Sequence, residues 1–416
     1  MSYGFGFCRK RLFAFGMALV ACALPGLAQA APFAKIYDFK FMNRRGNIDG
    51  AIPTGALVAD KDGNFYGTTN SGGAYLVEGT VFKLAPDGTD TVLYSFGGEG
   101  ANPLYGVTRD AAGNLYGTTS GRSGSPIAFR LAPDGTFTTL HTFEGYSAGP
   151  LVVDAQGNVY GMTSDEGTGA FCTIQFGCGT VFRIAPDGTE TVLHSFCSAP
   201  GCKDGMSPAQ GAGLVFDKAG NLYGTTSGGG TVGCFDQGGC GVVFELQPNG
   251  AEKILYAFKG GFDGTYPDNM LIRDAAGNIT GSTYFGGGSG CANMGCGTVF
   301  RLAPDGSETV LHAFHGAGDG ENPSSVTRDR TGNLYGTTIY ACSVEVNCGN
   351  AYKLAPDGMF TVLHTFTVAS GGAPNGGLLL DKAGHLFGNM GPSYLNQMSP
   401  YGSPGLANGS VYEITP

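Results

Sequence analysis

Short apolar runs of four to six residues recur from residue 34 onward, each bounded by glycine, proline, asparagine or aspartate. Runs of this length, rich in β-branched and aromatic residues, predict strands rather than helices. Three phrases recur in fixed order. The first, D-x-x-G-N-L-Y-G-T-T with drift, begins at Asp60, Asp110, Asp154, Asp217, Asp274, Asp329 and Asp381. The second, G-T-V-F-K-L-A-P-D-G, places turns at Pro86-Asp87-Gly88, Pro133-Asp134-Gly135, Pro186-Asp187-Gly188, Pro248-Asn249-Gly250, Pro304-Asp305-Gly306 and Pro356-Asp357-Gly358. The third, T-V-L-[YH]-x-F, ends at Phe96, Phe143, Phe196, Phe258, Phe314 and Phe366. A fourth apolar run precedes each leading aspartate, as in Gly55–Val58 and Leu214–Phe216. Asp-x-x-Gly and Pro-Asp-Gly are tight-turn chemistry, because proline presets φ and glycine accepts positive φ.

The unit is therefore four antiparallel strands, which is the content of a propeller blade. The chain ends bear on closure. Lys35-Ile36-Tyr37-Asp38-Phe39 is a fourth-strand phrase with no repeat before it, and Gly409-Ser410-Val411-Tyr412-Glu413-Ile414 is a third-strand phrase with no fourth strand after it. Pairing the two predicts an all-β, seven-bladed β-propeller of four-stranded blades, its last blade closed by the N-terminal strand, so that no sheet edge is left at a seam.

Gly220–Thr226, Gly297–Gly306 and Thr309–Phe314, with their cognates, closely resemble the GloVer repeat, the Gloeobacter/Verrucomicrobia type, of exported bacterial proteins. The resemblance covers nearly all of residues 34–416. It implies export and a propeller-like fold, and no established activity or catalytic residue. Some relatives carry a C-terminal sorting anchor, and this sequence reaches Pro416 without that pattern.

Composition agrees with many turns and close-packed strands: 74 of 416 residues are glycine, against a typical ~7%. Residues 1–30 read as a secretory signal peptide. Arg9, Lys10 and Arg11 precede the apolar stretch Leu12–Leu24, and Ala28-Gln29-Ala30 is an A-x-A cleavage site. Leu19-Val20-Ala21-Cys22 offers a lipoprotein site as the alternative, with anchoring at Cys22. The mature chain, residues 31–416, then forms a single propeller domain, secreted or periplasmic and monomeric, with no membrane span. Loss of the leader takes the formal net charge from −10 to −13. That balance argues against nucleic acid and other polyanionic partners, which need clustered Lys and Arg.

Ten cysteines outside the leader form five close pairs: Cys172/Cys178, Cys197/Cys202, Cys234/Cys240, Cys291/Cys296 and Cys342/Cys348. In an exported chain this local, even-numbered set predicts disulfides rather than zinc ligation. Four pairs fall between second and third strands and one between a fourth and a first strand. In an antiparallel four-strand unit these connections emerge on the same face, so the irregular, cysteine-bearing loops share one side and the short turns the other. Function concentrates on such loops, which makes this the expected ligand face.

Residues outside the repeat pattern single out Asp165, Glu166, Asp236, Tyr284, Tyr340 and Glu345 as ligand-face candidates, since carboxylates among aromatic rings suit a sugar site. Asp49, Asp204, Asp263 and Asp319, each followed by glycine, recur between fourth and first strands, with Glu99 and Glu144 in similar places. Turn propensity explains them. As a functional alternative, they would ring the axial mouth as acid–base pairs. His141, His194, His312 and His364 share one repeat position with Tyr37, Tyr94 and Tyr256. Spread over successive repeats, they read as structural, while His315 is a weak site candidate. Asp60-Lys61-Asp62-Gly63-Asn64 imitates the start of a calcium loop but lacks its closing carboxylate. No G-x-S-x-G, H-E-x-x-H or P-loop is present, and nothing calls for a cofactor or metal. The sequence thus predicts an exported binding or scaffold protein that engages a glycan or protein through its disulfide-bearing face. The alternative is a propeller hydrolase or lyase acting on polysaccharide or lactone through loop carboxylates.

Overall fold

The computed structural model describes residues 31–40, 49–75, 78–98, 100–121, 124–145, 149–174, 177–208, 211–231, 234, 238–291, 293–316, 318–339, 348–391 and 408–416. The fold is all-β, built from four-stranded antiparallel sheets in a propeller-like arrangement. Numbering the repeats by their leading aspartates, the third is typical: Val152–Val153, Val159–Thr163, Thr180–Ile184 and Glu190–Ser195 pair in sequence order. The first two repeats share an eight-stranded sheet, because their first strands meet at Ala56 and Gly106.

The N-terminal strand Phe33–Asp38 pairs antiparallel with Ser410–Ile414, Phe33 opposite Ile414 and Asp38 opposite Ser410. It thereby supplies the outer strand to the sheet of the seventh repeat. No other described sheet borrows a strand from the far end of the chain.

Each phrase has a physical reason. In the first turn, Asp60 Oδ1 accepts the backbone N–H groups of Asp62 and Asn64, at 2.9 and 3.0 Å. Its Oδ2 accepts the Asn64 amide and the Tyr66 hydroxyl, at 2.8 and 3.0 Å. The aspartate, asparagine and tyrosine of the phrase are thus one hydrogen-bonded unit, and the same donors occupy Asp110, Asp154, Asp217 and Asp329. Burial raises the Asp60 pKa, but these hydrogen bonds outweigh it and hold the carboxyl at about 2. The glycine after the tyrosine is set by packing: a Cβ on Gly224 would lie 2.6 Å from the ring of buried Phe244 on the neighbouring strand.

The core lies between successive sheets. The phenylalanine ending each fourth strand packs on the aromatic ring at the middle of the third strand of the next repeat. The pairs are Phe39–Phe82, Phe96–Phe129, Phe143–Phe182, Phe196–Phe244, Phe258–Phe300, Phe314–Tyr352 and Phe366–Tyr412, with ring centroids 5.0–5.4 Å apart. Edge-on and tilted pairs at this distance are favoured over face-to-face sandwiches. The sequence of pairs runs from the seventh repeat through the first and back to the seventh. First strands of neighbouring repeats are joined as well, for instance by the Thr54 hydroxyl donating to Pro103 O and the Asn375 amide donating to Pro53 O.

Disulfides join Cys172–Cys178, Cys197–Cys202, Cys234–Cys240 and Cys291–Cys296. The fifth expected pair, Cys342/Cys348, is not among these four described bridges. Cys348 itself is fully buried in the core of the sixth and seventh repeats and is disulfide-bonded, but Cys342, the partner expected for it, lies outside the described residues. The leader and Cys22 lie outside them too. Among the described residues no helix is long and apolar enough to cross a membrane.

Candidate functional site

Two residues before each fourth-strand phenylalanine stands the Tyr or His of the third phrase. Its partner is the residue that opens the fourth strand of the next repeat. Tyr37 feels the charge of Asp90. Tyr94 stacks on Phe137 at 4.0 Å. His141 approaches Glu190 at 3.7 Å and His194 approaches Glu252 at 3.5 Å. Tyr256 feels Glu308, and His312 and His364 stack on Phe360 and Phe33 at 4.1 and 4.0 Å. The repeat therefore carries a second belt at the sheet junctions, aromatic in some places and acidic in others.

The acid–glycine loops feed this belt. Tyr37 Oη donates to Asp49 at 2.7 Å, and Tyr256 Oη donates to Asp263 at 2.5 Å. His312 Nε2 lies 3.2 Å from Asp319, and His194 Nε2 lies 3.6 Å from Asp204. Each aspartate turns back toward the outermost strand of its own repeat, because that strand supplies the hydroxyl, imidazole or free amides that a buried carboxylate needs. Burial and the neighbouring Asp49 charge push Asp90 up to about 6. Burial with Asp204 pushes Glu252 up to about 8, and burial with Asp263 pushes Glu308 up to about 7.

Between the second and third repeats the same elements open into a cleft of about 510 Å³, lined by His141, Thr142, Glu144, Gly145, Glu166, Gly167 and Glu190. Glu166, a sequence candidate, accepts the backbone N–H groups of Glu144 and Gly145, at 3.0 and 2.9 Å. Burial raises its pKa against those two hydrogen bonds, and the charges of Glu190 and Asp165 add to the rise. Asp165, the other candidate here, sits beside Gly145, whose Cβ position would be 3.1 Å from Asp165 Oδ1. His141, Glu144 and Glu190 complete the cleft. Glu144 belongs to the acid–glycine theme, whereas the repeat positions of His141 and Glu190 gave the sequence nothing to set them apart.

Tyr284 is half-buried and lies edge-on to Phe285, centroids 4.7 Å apart, in a different junction from the cleft. Asp236, Tyr340 and Glu345 lie outside the described residues, as does Glu99 of the acid–glycine loops. His315 is exposed and bonded to Asp319.

The opposite face carries grooves of about 380, 230 and 210 Å³. They are lined by the Asp-x-x-Gly and Pro-Asp-Gly turns and are products of the repeat itself. Exposed apolar side chains separate the faces more sharply. Of ten exposed large hydrophobics among the described residues, eight lie in connections between second and third or fourth and first strands. Tyr75, Phe171, Phe262 and Tyr266 are the aromatic ones, Phe262 at 81% exposure.

No curated protein matches the chain. Among solved structures, it is similar to the extracellular domain of a protein described as a one-component system from B. thetaiotaomicron. That domain is 10% identical with a TM-score of 0.51, and the match covers 92% of this chain and 39% of that one. It is also similar to a gluconolactonase from Xanthomonas campestris, 16% identical with a TM-score of 0.40, covering 74% of this chain and 86% of that one. At these identities the first likeness bears on fold alone. The model of the Gloeobacter/Verrucomicrobia repeat matches residues 28–175 and 236–416, and the chain belongs to that repeat family.

Proposed function

We propose that residues 31–416 are one exported, seven-bladed ring, released by cleavage after Ala30, whose loop face binds a glycan. The closed order of aromatic pairs from Phe39–Phe82 to Phe366–Tyr412 supports seven blades. Four local disulfides support an oxidising compartment.

The observation that carries the binding reading is the one-sided distribution of exposed apolar side chains. Exposed apolar side chains gathered on the loop side of the repeats, where functional residues concentrate, make that side the candidate interaction face. Here they stand on the same face as an acidic cleft that, among the described residues, no Lys or Arg lines. Rings pack against the apolar faces of pyranoses, and carboxylates accept hydrogen bonds from their hydroxyl groups. A second reading rests on the cleft itself. Glu166, whose pKa burial raises against two backbone hydrogen bonds, lines it together with His141 and Glu190, and carboxyls beside an imidazole are the residue types of acid–base chemistry.

A glycan array probed with the purified protein, followed by the same array with Phe262→Ala and Phe171→Ala, tests the proposal. Specific binding that drops at least about tenfold in these variants supports it; absence of binding to any glycan, or binding indifferent to both changes, overturns it. Release of reducing ends from a bound polysaccharide, lost in Glu166→Gln, favours the second reading.

A further inference from the structure

We propose that His194, Asp204 and Glu252 form a site for a divalent transition-metal ion of the zinc class, bridging the third and fourth repeats at the loop face. His194 lies on the strand Glu190–Ser195, Glu252 opens the strand Glu252–Ala257 of the next repeat, and Asp204 belongs to the loop between them. One donor atom from each lies within 4.8 Å of the other two. The side chains are 14%, 8% and 11% exposed, so a small ion reaches them from the rim while bulk water is largely excluded.

The distances fit coordination and not hydrogen bonding. His194 Nε2 stands 3.6 Å from Asp204 Oδ2 and 3.5 Å from Glu252 Oε2, beyond the 2.7–3.2 Å range of an N–H···O bond. Donors bound to one zinc ion at about 2.0–2.2 Å and tetrahedral angles sit about 3.3–3.6 Å apart. Two buried atoms of the set, His194 Nε2 and Glu252 Oε1, have no hydrogen-bond partner. Among the described residues neither acid pairs with Lys or Arg. With no Lys or Arg beside them, these buried acids gain from a bound dication the positive partner that burial otherwise denies them.

The repeat supplies an internal comparison. Where tyrosine replaces histidine, the phenol O–H donates directly to the loop aspartate, as Tyr256 does to Asp263. Where histidine is kept but the next repeat offers Phe360 instead of an acid, His312 hydrogen-bonds Asp319 and stacks on the ring. The His194 junction unites imidazole with both acids and makes neither hydrogen bond. Asp204 is also held in place: its oxygens accept the N–H groups of Ser198 and Ala199, at 2.7 and 3.1 Å, in the loop closed by Cys197–Cys202. Such outer contacts orient a ligating carboxylate.

Zinc chloride titrated calorimetrically into the EDTA-treated, dialysed protein tests the site, with thermal unfolding followed in parallel. One zinc per chain and a raised unfolding temperature are expected. His194→Tyr, which restores the phenol–aspartate pair already used at Tyr256, and the isosteric Glu252→Gln should stay folded by circular dichroism. Each should weaken zinc binding by at least about tenfold, whereas exposed His315→Ala should leave it unchanged. Wild-type affinity in either folded variant, or no stoichiometric binding by the native protein, overturns the proposal.

Discussion

Phe33 lies flat on His364, ring centroids 4.0 Å apart and planes 4° from parallel. The first residue of the first strand is thereby clamped onto the sheet of the sixth repeat while its own strand completes the seventh. It also lies edge-on to Phe366 and against Tyr412.

This contact makes the N-terminal strand a structural lock. Phe33→Ala removes a half-buried ring and its stacking partner, and is expected to cost about 2 kcal/mol, between the value of an aromatic pair and that of a fully buried phenylalanine. Urea unfolding measures it; a loss under about 0.5 kcal/mol means the strand contributes little to closure.

Two buried hydroxyls should be dispensable. In the sixth and seventh repeats tyrosine takes the place of the third-strand phenylalanine, and Tyr352 Oη and Tyr412 Oη are buried without a hydrogen-bond partner. Elsewhere the same position is phenylalanine, as in Phe244. Tyr352→Phe is therefore expected to stabilise the fold by about 1 kcal/mol, the usual penalty of a buried unsatisfied polar group. A drop in the urea midpoint on this change would reveal a partner for the hydroxyl.

Stability should peak in mild acid. Asp60 and Asp329 are held at about 2 because hydrogen bonds outweigh burial, below the unfolded value of about 3.9. The stability they contribute is present above that value and lost as pH falls from about 4 toward 2. Asp90 at about 6 and Glu308 at about 7 are raised by burial, then by a neighbouring aspartate. Their contribution is complete below about 4 and lost as pH rises through 6 to 7. The urea midpoint should thus be highest near pH 4–5, and Glu308→Gln should flatten its decline on the alkaline side. An identical decline in that variant removes the junction acids from the explanation.

What the chain dictates locally was legible along it. Asp60, Asn64 and Tyr66 are four and six residues apart and meet within one turn. The glycine of N-L-Y-G-T-T and the phenylalanine of G-T-V-F-K-L pack on adjacent strands joined by a short connection. Periodicity exposes such contacts because every repeat makes them anew. The pairing of Phe33–Asp38 with Ser410–Ile414 was legible for the same reason: two incomplete phrases at opposite ends complement each other.

The chemistry of the junctions was decided only by tertiary structure. His194 and Glu252 are 58 residues apart, each in a common repeat position, and become neighbours only because successive sheets pack face to face. Glu166 was visible as a departure from the pattern and Glu144 as part of the acid–glycine theme, but His141 and Glu190 were concealed by conforming to the repeat. A linear pattern records what each strand needs from its own turn and sheet. Which imidazole faces which carboxylate depends on how one sheet is set against the next, and that packing selects among side chains the repeat treats as equivalent.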